Sequence, residues 1–155
     1  MDMGFAVNCQ LARALRRATQ NGLIPTSMTV NFSVTGESRE MHPIVRDEVY
    51  RIGYEAIRNS IVHSHATRLQ VELRYEQDLY LRVKDNGVGI DSVVLSQRKD
   101  EHFGLQGMKE RAARIGGKLT LVSSTCGTEV VITVPGSIVF RKFERGERML
   151  YKTSL

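Results

Sequence analysis

The chain has 155 residues, 41% hydrophobic and 25% charged, which is the length and composition of one ordinary folded domain. No apolar run approaches the roughly 18 residues of a membrane span, and no basic segment followed by an apolar stretch and a small-residue cleavage site opens the sequence. The cysteines, Cys9 and Cys126, are too few for a disulfide framework or a zinc cluster and fit a reducing compartment.

Lysine and arginine total 22 against 17 acidic residues, a net charge of +5 that admits a nucleic acid, a membrane surface or a polyanionic small ligand as partner. The basic residues gather at Arg13, Arg16 and Arg17 and again at Arg141, Lys142, Arg145, Arg148 and Lys152, the second group diluted by Glu144 and Glu147. With no helix-turn-helix and no aromatic ribonucleoprotein motif beside them, they read as solvated terminal segments rather than a nucleic-acid face.

In chain order, residues 9–20 (CQLARALRRATQ) predict a short basic helix that stops at Asn21-Gly22 and Pro25. Met28 to Thr35 alternates and predicts a strand, followed by a polar turn and His42-Pro43. From Val45 to about His63 the period becomes helical: Val45, Val49, Ile52, Ala56 and Ile57 form one apolar stripe, while Glu55, Asn59 and His63 stack as a polar row on another face. Polar side chains so placed meet either solvent or a ligand.

Leu69, Val71, Leu73 and Tyr75, then Leu79, Leu81 and Val83, alternate with polar residues across the short link Glu76-Gln77-Asp78, which predicts a hairpin. Continuing the second parity places Asp85 on the apolar side at the end of its strand, where a carboxylate needs donors to offset its desolvation. Asn86-Gly87-Val88-Gly89 follows, then a polar stretch from Ser92 to Glu101. Gly104-Leu105-Gln106-Gly107 leads into a helix with Met108, Ala112 and Ile115 on its apolar stripe, ended by Gly116-Gly117. Lys118 to Ser124 and Thr128 to Val134 read as strands joined through Thr125-Cys126-Gly127. A further strand, Ser137 to Phe140, and a basic tail close the chain.

Each motif alone is weak, since Asp-Asn-Gly is first a turn signal and Gly-x-Gly recurs by chance. Their order is specific. Glu55-Ala56-Ile57-Arg58-Asn59 with His63, then Asp85-x-Gly87-x-Gly89, then His102-Phe103-Gly104-Leu105-Gln106-Gly107-Met108-Lys109-Glu110-Arg111, then Ile115-Gly116-Gly117 and Gly127-Thr128, resemble the ATP-binding domain shared by gyrase, Hsp90, histidine kinases and the MutL proteins. The likeness is greatest to sensor histidine kinases paired with LuxR/NarL-type response regulators, and it covers about Val45 to Pro135. No Gly-x-x-x-x-Gly-Lys-Ser/Thr segment exists, which excludes the P-loop class.

The resemblance implies a two-layer α/β (α+β) sandwich of the Bergerat type, a mixed β-sheet with helices on one face. Residues 1–44 supply an N-terminal helix and first strand, 45–135 the core, and 136–155 a C-terminal strand and tail. It implies Mg²⁺ on Asn59, whose carbonyl oxygen is a hard ligand, and an adenine amino group on Asp85. It implies a backbone passing close to base and sugar at Gly87 and Gly89, phosphates at Gly104 and Gly107 before a helix N-terminus, and ATP contacts at Leu105 and Met108. Thr128 lines the adenine pocket, and Ser92 to Phe103 forms the lid. Glu55 orients an attacking water in related ATPases; in a kinase it helps with Mg²⁺, activates the nucleophile or holds the polar network. His63 reads as structural.

A kinase of this type moves the γ-phosphoryl of ATP to a histidine on a helical dimerisation domain, for relay to an aspartate of the response regulator. That histidine stands in a His-Asp or His-Glu context, whereas the four histidines here precede Pro43, Ser64, Ala66 and Phe103. The chain therefore reads as a catalytic domain of a longer protein, cytoplasmic and without membrane contact of its own, whose parent is either free or anchored in the bacterial inner membrane. Its expected partners are ATP, Mg²⁺, the parent's dimerisation domain and the regulator. Three alternatives stay open: a gyrase- or Hsp90-like ATPase with a second domain elsewhere, an anti-sigma-type serine kinase of the same fold, and a non-enzymatic nucleic-acid-binding module.

Overall fold

In a computed structural model, which describes residues 10–20, 24–90 and 104–141, the alternating apolar runs become one sheet. Its strands are β1 (Thr29–Thr35), β2 (Arg68–Tyr75), β3 (Leu79–Asp85), β4 (Lys118–Ser124) and β5 (Gly127–Val134), in the order β1-β2-β3-β5-β4. β1 and β2 are parallel and every other pair antiparallel. A parallel pair needs a long crossover, and a 21-residue helix between those strands, Pro43–His63, provides it. The other helices among the described residues are Gln10–Ala18, Leu105–Arg114 and the short Gly136–Val139. In chain order they are α1 (Gln10–Ala18), α2 (Pro43–His63), α3 (Leu105–Arg114) and α4 (Gly136–Val139).

Register puts the apolar parity of all five strands on one face. Phe32 lies opposite Val71, Val71 opposite Val83, Val83 opposite Val130 and Val130 opposite Leu121. The helices cover this face, and the α2 stripe (Val45, Val49, Ile52, Ala56, Ile57) is buried on it. The opposite face is polar. There Arg82 Nε lies 2.7 Å from Glu129 Oε2 and Arg74 Nη2 3.0 Å from Glu72 Oε2. The hydrogen bond to Glu72 holds the Arg74 guanidinium above its ordinary pKa.

Two features of α2 were not anticipated from its periodicity. Gly53, in mid-helix, is the crossing point of α1: a Cβ there would lie 2.7 Å from Leu15 Cδ2 and 3.0 Å from Leu81 Cδ2. Glu48 sits on the apolar stripe three residues after Val45, and it is matched by Arg111 Nη1 at 3.1 Å and Arg114 Nη1 at 3.5 Å. This pairing joins α2 to α3 and offsets the desolvation of a carboxylate whose side chain is 12% exposed.

The strand expected at Ser137 to Phe140 is not formed. Pro135 has no N–H for a ladder, and its carbonyl accepts from Ile138 and Val139 N–H, starting α4. Gly136 N donates to Asp78 Oδ1 at 3.0 Å, and extended pairing returns only at Phe140, as a single bridge to Met41. The basic tail beyond Arg141 lies outside the described residues.

Leu15 is fully buried under α2 and the sheet. Leu15→Ala is expected to lower unfolding free energy by about 2–5 kcal/mol in urea titration. A loss under about 0.5 kcal/mol, the range of an exposed substitution, would show that α1 is not part of the core.

Candidate functional site

The C-terminal half of α2, the end of β3 and the β4–β5 hairpin enclose a cleft of about 400 Å³, counting its open mouth. Ala56, Val83, Leu121 and Val130 supply apolar walls, and Leu105 at the start of α3 and Ile90 add to them. Polar groups converge from Asn59, Ser60 and His63 on α2, Asp85 on β3 and Thr128 on β5. An apolar slot with a few placed polar groups suits a flat heteroaromatic ligand.

Asp85 is the centre of the site. Strand parity carries it to the inner face in line with Leu79, Leu81 and Val83, and it is 4% exposed. Its charge is offset by donors from three elements. Ser60 Oγ donates to Oδ2 at 2.7 Å, Gly87 N to Oδ1 at 2.9 Å, and Thr128 N to Oδ1 at 3.2 Å. Two backbone donors thus occupy Oδ1, leaving Oδ2 as the oxygen with acceptor capacity to spare.

The turn after Asp85 is held from two sides. Asn86 Oδ1 accepts from the N–H groups of Thr67 and Arg68 at 2.9 and 2.8 Å, tying it to the start of β2. Ser64, at the end of α2, accepts at its carbonyl from Val88 N at 2.9 Å, and its hydroxyl donates to the Ser60 carbonyl. Farther along, Ile90 N donates to Ser123 Oγ at 2.6 Å, and Ser123 Oγ lies 3.0 Å from Thr128 Oγ1.

Of the residues singled out in the sequence, Asn59, Asp85, Gly89, Leu105 and Thr128 line the cleft, as does His63. Asn59 Oδ1 is buried and accepts no hydrogen bond among the described residues, while the residue is engaged through other contacts. Glu55, one turn earlier on α2, is half-buried with its carboxylate against Gly104, where a Cβ would lie 2.8 Å from Glu55 Oε2. Gly104 adopts φ 65° and caps α3. Gly107 is not ahead of that helix but inside its first turn, with nothing among the described residues within 4 Å of a Cβ placed on it.

The remaining glycines of the motif meet protein. A Cβ at Gly87 would lie 2.2 Å from the Ser64 carbonyl oxygen, and one at Gly89 (φ 79°) 2.0 Å from that of Ser124. Met108 is 1% exposed and packs in the core as the anchor of α3. Residues 92–103, read as the lid, lie outside the described residues. Ser60, Ser64, Asn86 and Ser123 were not singled out. Ser60 carried a signal: four residues after Ala56, it is a hydroxyl on the apolar stripe.

A family model described as "Histidine kinase-, DNA gyrase B-, and HSP90-like ATPase" matches residues 44–138, more than half of the chain. The chain belongs to this ATPase family. Among curated relatives, the ATPase domain is 32% identical over 134 residues to the signal transduction histidine-protein kinase/phosphatase DegS of Bacillus subtilis, covering 76% of this chain and 35% of DegS. It is 38% identical over 93 residues to the sensor protein VraS of Staphylococcus haemolyticus, covering 59% of this chain and 26% of VraS. The chain thus spans about a third or less of these relatives.

Among solved structures, the catalytic domain of the histidine kinase ThkA superposes with a TM-score of 0.64 at 12% identity, covering 82% of this chain and 91% of that one. The blue-light activated histidine kinase EL346 of Erythrobacter litoralis gives 0.61 at 20% identity, covering 86% of this chain and 42% of that one. At these identities the superpositions establish the shared fold.

The ATPase domain makes opposite demands on two of its glycines. Gly127 has φ 133°, and a Cβ there would lie 2.0 Å from the Asp85 carbonyl oxygen, so Gly127→Ala is expected to destabilise by about 1–3 kcal/mol or more. Gly107→Ala, in open helix, is expected to be neutral or to stabilise by up to about 1 kcal/mol. Urea unfolding of the two variants checks the contrast; equal effects would count against these backbone assignments.

Proposed function

We propose that the chain is the ATP-binding catalytic domain of a sensor histidine kinase, which binds Mg-ATP and passes the γ-phosphoryl to a histidine on the parent's dimerisation domain. The single observation carrying this reading is Asp85, a buried carboxylate at the base of an apolar slot with Oδ1 occupied by two backbone N–H groups. Its Oδ2 then accepts from the exocyclic amino group of adenine. A hydrogen bond to a charged acceptor contributes about 1.5–3 kcal/mol and disfavours guanine, which presents a carbonyl at that place. Val83, Leu121 and Val130, side by side on the inner face of the sheet, line one side of the base, Ala56 lies on the α2 side, and Thr128 closes the pocket.

The phosphates extend toward the start of α3. There the unpaired N–H groups of the first turn favour anions, and the absence of a side chain at Gly107 leaves room for them. Asn59 and Glu55 lie on the facing side of α2 and supply oxygen donors of the hard type that Mg²⁺ prefers. They fit the ion, with Asn59 as its ligand and Glu55 supporting the site. When bound, Mg²⁺ neutralises charge that develops on the phosphates. The chain itself then binds, orients and desolvates the nucleotide, which is most of what phosphoryl transfer asks of a protein.

The phosphoacceptor comes from elsewhere. The three described histidines stand at the start of α2 (His42), in its last turn (His63) and just after it (His65). The likeness to DegS and VraS, named as a kinase/phosphatase and a sensor, supports a two-component role with a LuxR/NarL-type regulator downstream. Among the described residues no helix is long and apolar enough to cross a membrane. We place the domain on the cytoplasmic side.

Calorimetric titration with Mg-ATP is expected to show binding that Asp85→Asn weakens by about 1.5–3 kcal/mol, roughly tenfold or more. Asn59→Ala is expected to bind nucleotide yet lose most Mg²⁺-dependent phosphohistidine formation when the dimerisation domain of the parent is added. Unchanged ATP affinity in Asp85→Asn would overturn the adenine assignment. Stable phosphohistidine on the isolated chain would overturn the division of labour.

A further inference from the structure

Asp85 lines the cleft, and the side chain that donates to its less occupied oxygen, Oδ2, is Ser60. Both residues are 4% exposed, and Ser60 Oγ donates to Asp85 Oδ2 at 2.7 Å across 25 residues of sequence. The backbone donors Gly87 N and Thr128 N both bind Oδ1 and hold only one end of the carboxylate. Rotation about the terminal torsion of an aspartate is broad, and the planar carboxylate turns as one unit, so the Ser60 bond on Oδ2 and the two N–H bonds on Oδ1 fix its plane together. The serine is itself fixed, since it belongs to α2 and its carbonyl accepts the Ser64 hydroxyl.

The direction of the hydrogen bond matters as much as its presence. A hydroxyl carries one hydrogen, and that of Ser60 is committed to a carboxylate that accepts only. Toward the cleft, which both residues line, the pair presents lone pairs and no donor. An amino group on a purine brings hydrogens to such a pair, whereas a carbonyl at the same position meets two acceptors.

We propose that Ser60 is a positioning residue for base recognition: by donating to Asp85 Oδ2 it aims the remaining acceptor at the 6-amino group of adenine. This rests on the reading of Asp85 given under Proposed function, and the test separates the two. ATP and purine riboside triphosphate, which carries hydrogen in place of the 6-amino group, are titrated with Mg²⁺ into wild type, Ser60→Ala and Ser60→Thr.

Wild type prefers ATP if Asp85 reads the amino group; no preference, or no binding of ATP, overturns that reading and this inference with it. Given the preference, Ser60→Ala loses roughly 3- to 10-fold in ATP affinity with less than a twofold change for purine riboside triphosphate, and Ser60→Thr recovers most of the loss. Equal losses for both nucleotides, or no loss for either, overturn the role of Ser60 while leaving Asp85 in place. Should Ser60→Ala not fold, Ser60→Cys keeps the volume with a weaker donor, and the same selective loss of ATP is required of it.

Discussion

A carboxylate buried to 4% exposure has to be surrounded by donors, and this constraint on Asp85 organises the site. Its partners come from the last turns of α2, from the turn that follows β3 and from the first residues of β5. Three segments far apart in sequence are thereby brought to within hydrogen-bonding distance of one side chain. The same requirement explains the glycines around it. The β4–β5 turn reaches Asp85 only because Gly127 lets two backbones touch, and the turn after β3 lies under α2 only because Gly87 leaves room for the Ser64 carbonyl.

Helix α2 is the spine of the molecule because it serves two environments at once. Its apolar stripe sits on the sheet, while Asn59 and His63 open into the cleft and Glu55 turns toward Gly104. Its departures from a simple amphipathic helix are each explained by a neighbour. Gly53 accommodates Leu15 of α1, Glu48 meets two arginines of α3, and Ser60 meets Asp85. The ends of the helix are also tied down, the C-terminal one through Ser64 to Val88 and Ala66. A nucleotide held against such a helix faces a wall that needs little reorganisation on binding, which favours affinity.

The motif residues divide by what they touch. Asn59, Asp85, Leu105 and Thr128 face the cleft; Gly87, Gly127 and Met108 serve the packing that shapes it, and Gly89 does both. From spacing alone these two groups look alike, because a tight turn beside a ligand and a tight turn beside another backbone ask for the same glycine. Leu15 and Phe140, in contrast, lie outside residues 45–135 of the recognised core but are 0% and 1% exposed, so the flanking segments complete the hydrophobic layer.

Much of the fold was legible in the amino-acid sequence because local periodicity is a local property. Alternation marked β1, β2 and β3 and their inner faces, β4 and β5 were read as strands on either side of Thr125-Cys126-Gly127, the 3.6-residue stripe marked α2 and α3, and parity alone carried Asp85 inward. The order of the Asn, Asp-x-Gly-x-Gly and Gly-Leu-x-Gly-Met segments indicated the family. What only the tertiary structure decided are matters of pairing between distant residues: the order of strands, the placing of α1 over Gly53, the ion pair of Glu48, and the hydroxyl of Ser60 on Asp85. It also turned Ser137 to Phe140 from a strand into a turn of helix, since Pro135 ends the ladder and Asp78, far off in sequence, takes the Gly136 N–H. Periodicity reports which face of an element is buried, but which group a buried polar atom meets depends on elements that periodicity does not connect.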